Sequence, residues 1–181
     1  ITQRAERVTT YLVALHREIA LLREALGRKL PLAHLHFGGG SPSTLLPEQF
    51  GASMDELRRS FDFQDGAELA VELDPRTTSP ALVGKMAAEG VNRVSLGVQD
   101  FNPQVQELIH RIQPYELVAE VMQTLRAQGI TAINLDVMYG LPGQSPTTVA
   151  ETAQKVLTLK PARISLFSYA HVPAMKPYQK K

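Results

Sequence analysis

Apolar residues recur at helical spacing at Val8, Leu12, Leu15, Ile19, Leu22 and Leu26, which predicts an amphipathic helix from Arg4 to Leu26 that stops at Gly27. A short apolar run, residues 33–37, reads as the first strand and leads straight into Gly38-Gly39-Gly40 and Ser41-Pro42-Ser43-Thr44. Pro47 then opens a helix to about Ser60. Asp65-Gly66 reads as a turn, and Glu68 to Leu73 as a buried strand ending at Asp74-Pro75. Ser79-Pro80 starts a helix closed by Gly90, and Arg93 to Val98 is the third strand. Asn102-Pro103 caps a short helix to about His110, and Pro114 resets the chain into a longer one ending at Gly129. Ala132 to Met138 is the fourth strand; Ser145-Pro146 opens a helix ending near Leu159; Ile164 to Ser168 is the fifth strand. The tail from Pro173 to Lys181 has no periodicity.

Strands that alternate with helices form parallel sheets through right-handed crossovers. The expected fold is therefore α/β: one domain over residues 1–181, its five strands forming an arc of a βα barrel. Because the chain opens on a helix, a strand is expected to be missing from the front. It begins with Ile, not Met, and is read as a fragment or processed piece.

Bulk properties narrow the function. A net charge of +1 argues against a nucleic-acid surface. No apolar run is long enough for a bilayer, and the polar start Ile1–Arg7 does not resemble a signal peptide, so a cytoplasmic, non-membrane protein is expected. With no cysteine, the chain makes no disulfide and offers no thiolate to an iron–sulfur cluster.

In βα barrels chemistry collects at the carboxyl ends of strands. Here those ends carry Gly38 to Ser41; Glu72 and Asp74; Gly97, Gln99 and Asp100; Asp136 and Tyr139; and Ser168 to His171, with Arg111 following the third strand. The glycines allow close approach to the backbone, but the loop is neither a Walker loop nor GxGxxG. Carboxylates suit ribose hydroxyls and ammonium groups, and an arginine suits a carboxylate, so the rim matches a ligand that is a zwitterion at one end and a nucleoside at the other. Asp74 and Asp100 read as local turn or capping residues. Glu72 and Asp136 lie inside apolar strands and need a ligand or fixed partner; Arg111 is one candidate partner. His34 and His36 share a strand face and are assigned to packing rather than metal; His16 and His110 are placed on the surface, and His171 stays open.

HLHFGGGSPSTL, VELDPR, NRVSLGVQDFN, IHRIQ, INLDVMYGLPGQ and SLFSYAHVP, in this order and spacing, resemble the oxygen-independent coproporphyrinogen III oxidase (dehydrogenase) family of the radical S-adenosylmethionine superfamily. The resemblance covers essentially the whole chain. It implies a partial (β/α)6 barrel whose first strand, with the CxxxCxxC loop that holds a [4Fe–4S] cluster in the intact parent, is not in this chain. It further implies two S-adenosylmethionine molecules. Gly39 and Glu72 match contacts to the one at the cluster; Gly40, Ser41, Gln99, Arg111, Asp136 and Ala170 match contacts to the second. The family usually has Thr where Ser41 stands, which keeps the hydroxyl. The implied reaction converts two propionates of coproporphyrinogen III to vinyls, giving protoporphyrinogen IX, with an external electron donor and a monomeric protein. A sister branch of haem-binding chaperones is the alternative within the superfamily, although VELDPR and SYAHVP favour the oxidase. From another class, a non-catalytic nucleoside-binding module also fits the chain taken alone.

Overall fold

The computed structural model describes residues 5–175 and Gln179; Arg4 and most of the tail lie outside them. The elements follow one another as α1 (Ala5–Leu26), β1 (Leu30–Phe37), a single 3-10 turn (Pro42–Thr44), α2 (Pro47–Ser60), β2 (Phe61–Leu73), α3 (Pro80–Ala88), β3 (Arg93–Gln99), α4 (Pro103–Leu108), α5 (Tyr115–Ala127), β4 (Ala132–Tyr139), α6 (Pro146–Thr158) and β5 (Arg163–Ser168). The five strands form one parallel sheet in the order β1-β2-β3-β4-β5. This is the curled half-barrel that the βα alternation predicts.

The cap residues read from the sequence explain where the helices start. Ser79 Oγ accepts from Leu82 N, Asn102 Oδ1 accepts from Gln104 N and Val105 N, and Ser145 Oγ accepts from Thr148 N. Each such cap is worth about 1 kcal/mol and turns the chain sharply out of the strand end before it.

Alternation along the strands separates two environments. Val71 and Leu73, Val94, Leu96 and Val98, and Ile133, Leu135 and Val137 are buried together with Phe50, Met54, Leu82, Met86, Met122 and Leu125 of the helices. The intervening positions (Glu72; Ser95, Gly97 and Gln99; Asn134 and Asp136) face the other way, into the concave side of the sheet. That concave face is polar, and the core lies entirely between sheet and helices.

Three expectations are corrected. Asp65-Gly66 is not the turn that precedes β2. The strand already begins at Phe61, pairing Phe61 and Phe63 with Leu30 and Leu32, and Gly66 (φ 76°) lies in a stretch where the register shifts by a bulge before Glu68 meets His34. The reason is packing: Phe61 and Phe63 press against the core, and only a bulge accommodates the extra residues within the ladder. His16 is not a surface residue; it is half-buried and its ring bonds Ser53 Oγ at 3.0 Å, joining α1 to α2. A shorter β1 was expected, but it runs from Leu30 to Phe37 and includes Pro31 next to its start, near the strand beginning where proline is tolerated.

Candidate functional site at the carboxyl end of the sheet

Strand β1 delivers the glycine loop to the rim. Gly39 (φ 64°), Gly40 (φ 54°) and Ser41 (φ 72°) are successive left-handed residues. Added Cβ atoms at Gly39 and Gly40 meet nothing within 4 Å, so the backbone there faces open space. At Gly38 a Cβ would lie 2.8 Å from His36 Nε2 and 3.1 Å from Glu72 Cδ, so a side chain there would push against the His36–Glu72 pair. On the helix side of the same loop lies a mainly apolar cleft of about 420 Å³, lined by Tyr11, Leu12 and Leu15 of α1. Gly38 to Ser41 form its other wall, whereas Glu72, Gln99, Arg111 and Asp136 do not line it.

Glu72 receives Gly39 N at 3.3 Å on one oxygen and His36 Nε2 at 2.9 Å on the other. The sequence reading placed it in a buried strand interior; its side chain is in fact 51% exposed, because the β2 end opens into the mouth of the half-barrel. His36 is therefore a partner of Glu72 rather than packing. No group of three His, Cys, Asp or Glu able to hold a metal occurs among the described residues.

Across the sheet, Asp136 on β4 is half-buried and pairs in register with Gly97 on β3. Ser95 Oγ donates to its Oδ2 at 2.9 Å, and Asn134 Nδ2 donates to its Oδ1 at 2.7 Å. Asn134 Nδ2 also donates to Ser95 Oγ at 2.8 Å, and Ser165 Oγ of β5 donates to Asn134 Oδ1 at 3.1 Å. Sequence reasoning missed Ser95, Asn134 and Ser165. Their signal was present: polar residues at alternate positions of otherwise apolar strands, in RVSLGVQ, AINLD and RISLFS.

Gln99 ends β3 in a left-handed conformation (φ 68°). A Cβ on Gly97 would lie 3.1 Å from both Gln99 Nε2 and Arg111 Nη2, so the bare glycine makes room for both side chains. Arg111 Nη2 donates to Gly97 O at 2.8 Å and sits 3.3 Å from Asp74 Oδ2, while its Nε is buried without a partner. Its carboxylate partner is thus Asp74, not Glu72 or Asp136. Burial pulls the guanidinium below its usual range, and Asp74 pushes back. Ala170 follows β5, its carbonyl accepting from Gln179 Nε2 at 3.1 Å, and the exposed His171 stacks obliquely beside Tyr169. Gly39, Gly40, Ser41, Glu72, Gln99, Asp136 and Ala170 therefore share the carboxyl end of the sheet, with Arg111 reaching it from the segment after α4.

Asp74 is a turn residue, as read, but does more. Its Oδ1 accepts from Arg76 N at 3.0 Å and its Oδ2 from Arg76 Nη2 at 2.6 Å. Burial alone would raise its pKa, but the Arg76 hydrogen bonds and the Arg111 charge outweigh it, and the carboxyl titrates below the usual aspartate range. A carboxylate with a lowered native pKa adds stability above its unfolded pKa and loses it as pH falls through the native value. Denaturant midpoints of the wild type should accordingly fall more steeply than those of Asp74→Asn below about pH 4, and the two slopes should match above about pH 5. Identical slopes throughout would show that the Arg76 and Arg111 contacts do not bias this proton.

Asp100 was read as a local cap and is fully buried. It accepts from Asn102 N at 2.6 Å, Thr152 Oγ1 at 2.8 Å and Gln144 Nε2, so it also fastens α6 and the segment after β4 to the end of β3.

The residue chemistry and the comparisons converge. The description "Radical SAM superfamily" belongs to the family model that matches residues 5–156. The chain belongs to this superfamily. It is 45% identical over 180 residues to the oxygen-independent coproporphyrinogen III oxidase of Bradyrhizobium diazoefficiens, covering 99% of this chain and 40% of that protein. The Escherichia coli protein of the same name is 39% identical, over 100% of this chain and 39% of its own length. The solved structure of E. coli coproporphyrinogen III oxidase, described as a radical SAM enzyme, superposes with a TM-score of 0.92 at 39% identity, covering 99% of this chain and 41% of that one. The chain thus spans about two fifths of the length of these relatives. Elp3 of Methanocaldococcus infernus, with a TM-score of 0.66 at 17% identity, shares the fold.

Superfamily membership implies S-adenosylmethionine and a [4Fe–4S] cluster. This radical SAM chain fits the first and not the second. Exposed glycine backbone, a half-exposed Glu72, the Asp136 carboxylate and the orphaned Arg111 Nε are acceptors and donors of the kinds that an ammonium, ribose hydroxyls and a carboxylate require. With no cysteine among its 181 residues, the chain supplies no thiolate to a cluster.

Proposed function

We propose that the protein carrying this chain is an oxygen-independent coproporphyrinogen III oxidase, which oxidatively decarboxylates two propionates of coproporphyrinogen III to give protoporphyrinogen IX in haem biosynthesis. The observation that carries the reading is 39% identity and a TM-score of 0.92 to the E. coli enzyme across 99% of this chain, together with the gathering of Glu72, Gln99, Arg111 and Asp136 at one mouth. When bound, S-adenosylmethionine supplies a 5′-deoxyadenosyl radical on one-electron reduction of its sulfonium. Each propionate gives one hydrogen atom to that radical and then loses CO₂ and one electron, the electron passing to an external acceptor, to leave the vinyl. The electron source is an external donor, and no step through the cluster is assigned to this chain.

The chain's own residues bind and orient. Glu72, with Gly39, receives the methionine ammonium of a first S-adenosylmethionine. Gly40, Ser41, Gln99, Arg111, Asp136 and Ala170 hold a second: Asp136 takes the ribose hydroxyls, Arg111 the carboxylate, and Gln99 satisfies polar atoms without adding charge. The packed helices keep water from the convex side of the sheet, so the nucleosides are approached only from the concave mouth.

Glu72→Gln in the intact protein should lower 5′-deoxyadenosine yield about tenfold, the cost of one charge-assisted contact, with the cluster spectrum unchanged. Normal yield removes Glu72 from the site. An anaerobic assay for protoporphyrinogen tests the function itself, and haem binding without that product would favour the chaperone reading.

A further inference from the structure

We propose that Ser95 and Asn134 are positioning residues that fix the Asp136 carboxylate as a reader of ribose hydroxyls; this rests on Asp136 facing a nucleoside. Neither residue stands at a strand end, and neither has a role in the binding set above.

The geometry is a closed ring. Asn134 Nδ2 donates one hydrogen to Asp136 Oδ1 at 2.7 Å and the other to Ser95 Oγ at 2.8 Å. Ser95, having accepted that bond, directs its own hydrogen to Asp136 Oδ2 at 2.9 Å. The Asp136 carboxylate only accepts, so the Asn134 atom 2.7 Å from Oδ1 is the amide nitrogen, and Ser165 donates to Asn134 Oδ1 at 3.1 Å on the other side. Each carboxylate oxygen thus has one donor from within the sheet, and a carboxylate has about four lone-pair sites. One outward lone pair on each oxygen stays available, and the carboxylate plane cannot rotate without breaking a bond. Two fixed, side-by-side acceptors match vicinal hydroxyls. A freely rotating carboxylate would offer the same charge without the spacing.

The ring and the Ser165 bond that braces it draw on three adjacent strands, Ser95 from β3, Asn134 and Asp136 from β4, and Ser165 from β5. Asn134 is also buried, with 7% exposure. A buried amide needs partners, and Asn134 finds them in Asp136, Ser95 and Ser165. Their sequence neighbours Val94, Leu96, Ile133 and Leu135 point to the opposite face and fill the core, so Ser95 and Asn134 take no part in that packing.

The test uses the intact protein, anaerobic and without reductant, and two probes: S-adenosylhomocysteine and its 2′-deoxyribose counterpart. Binding is measured by calorimetry, with thermal melts as a fold control. The wild type should prefer the ribose form by about tenfold at the site that Asp136→Ala abolishes, the worth of one hydrogen bond to a charged group. Ser95→Ala should reduce that preference to about threefold or less, and Ser95→Thr, which keeps the hydroxyl, should restore it. Where Ser95→Ala fails to fold, Asn134→Val, which is apolar and close in size, removes both amide donors without adding a charge and should likewise lose the preference. An undiminished preference in Ser95→Ala, or in Asn134→Val, overturns the positioning role while leaving Asp136 in place. Unchanged binding in Asp136→Ala overturns the nucleoside reading and this proposal with it.

Discussion

Alanine at Asp136 is expected to cut protoporphyrinogen formation by the intact protein about a hundredfold, with the cluster still assembled and the melting temperature little changed. The size follows from two lost hydrogen bonds to a charged acceptor at about 1.5 kcal/mol each, or about 3 kcal/mol together. The change in stability is small because two effects oppose one another. Removing the carboxylate strands Ser95 Oγ and one amide hydrogen of Asn134, but the site is half-buried and opens on the mouth, where water replaces the lost acceptor. Anaerobic turnover with product separated by chromatography decides the matter. Unchanged vinyl formation would remove Asp136 from the site.

The second large effect concerns folding rather than turnover. Asp100→Ala should destabilise the protein by about 3–5 kcal/mol, since it leaves the Asn102 amide, Thr152 hydroxyl and Gln144 amide without their acceptor, and stranded buried donors cost about 1–3 kcal/mol each. For a chain of this length that corresponds to a fall in melting temperature of roughly 6–20 °C. Asp100 is fully buried and Thr152 nearly so, so water does not replace the bond between them. Gln106 adds to the same knot through Asp100 O at 2.9 Å and Gln113 O at 2.7 Å. The knot holds the segment from Gln99 to Gln113, and hence Arg111, against the sheet. Calorimetric melts measure the shift, and a loss under about 2 °C, less than 1 kcal/mol, would mean that the carboxylate is not the fastening.

The two predictions also mark how far the sequence could be read. Helix starts were legible because Ser79, Asn102 and Ser145 precede prolines, and a cap signal is local. Glycine at 38–40 and acids at strand ends marked the mouth, because strand alternation and the polarity of a parallel sheet fix face and end. Partners across strands were not legible. Arg111 meets Asp74 and not Glu72 or Asp136 because that choice depends on the path of the break between α4 and α5. Asp100 looked like a cap because its nearest donor, Asn102 N, is local, while Thr152 and Gln144 come from distant segments. Phe61 and Phe63 were lost to the Asp65-Gly66 signal, since nothing local shows that a strand tolerates a bulge there.

Neighbours in the sheet are also neighbours in the chain, from β1 through β5 without exception. Each new βα unit emerging from the ribosome therefore finds its template in the unit made just before it, and no strand must wait for a distant partner. Growth in the order of synthesis exposes one fresh edge at a time, which keeps the window for aggregation of the nascent chain narrow.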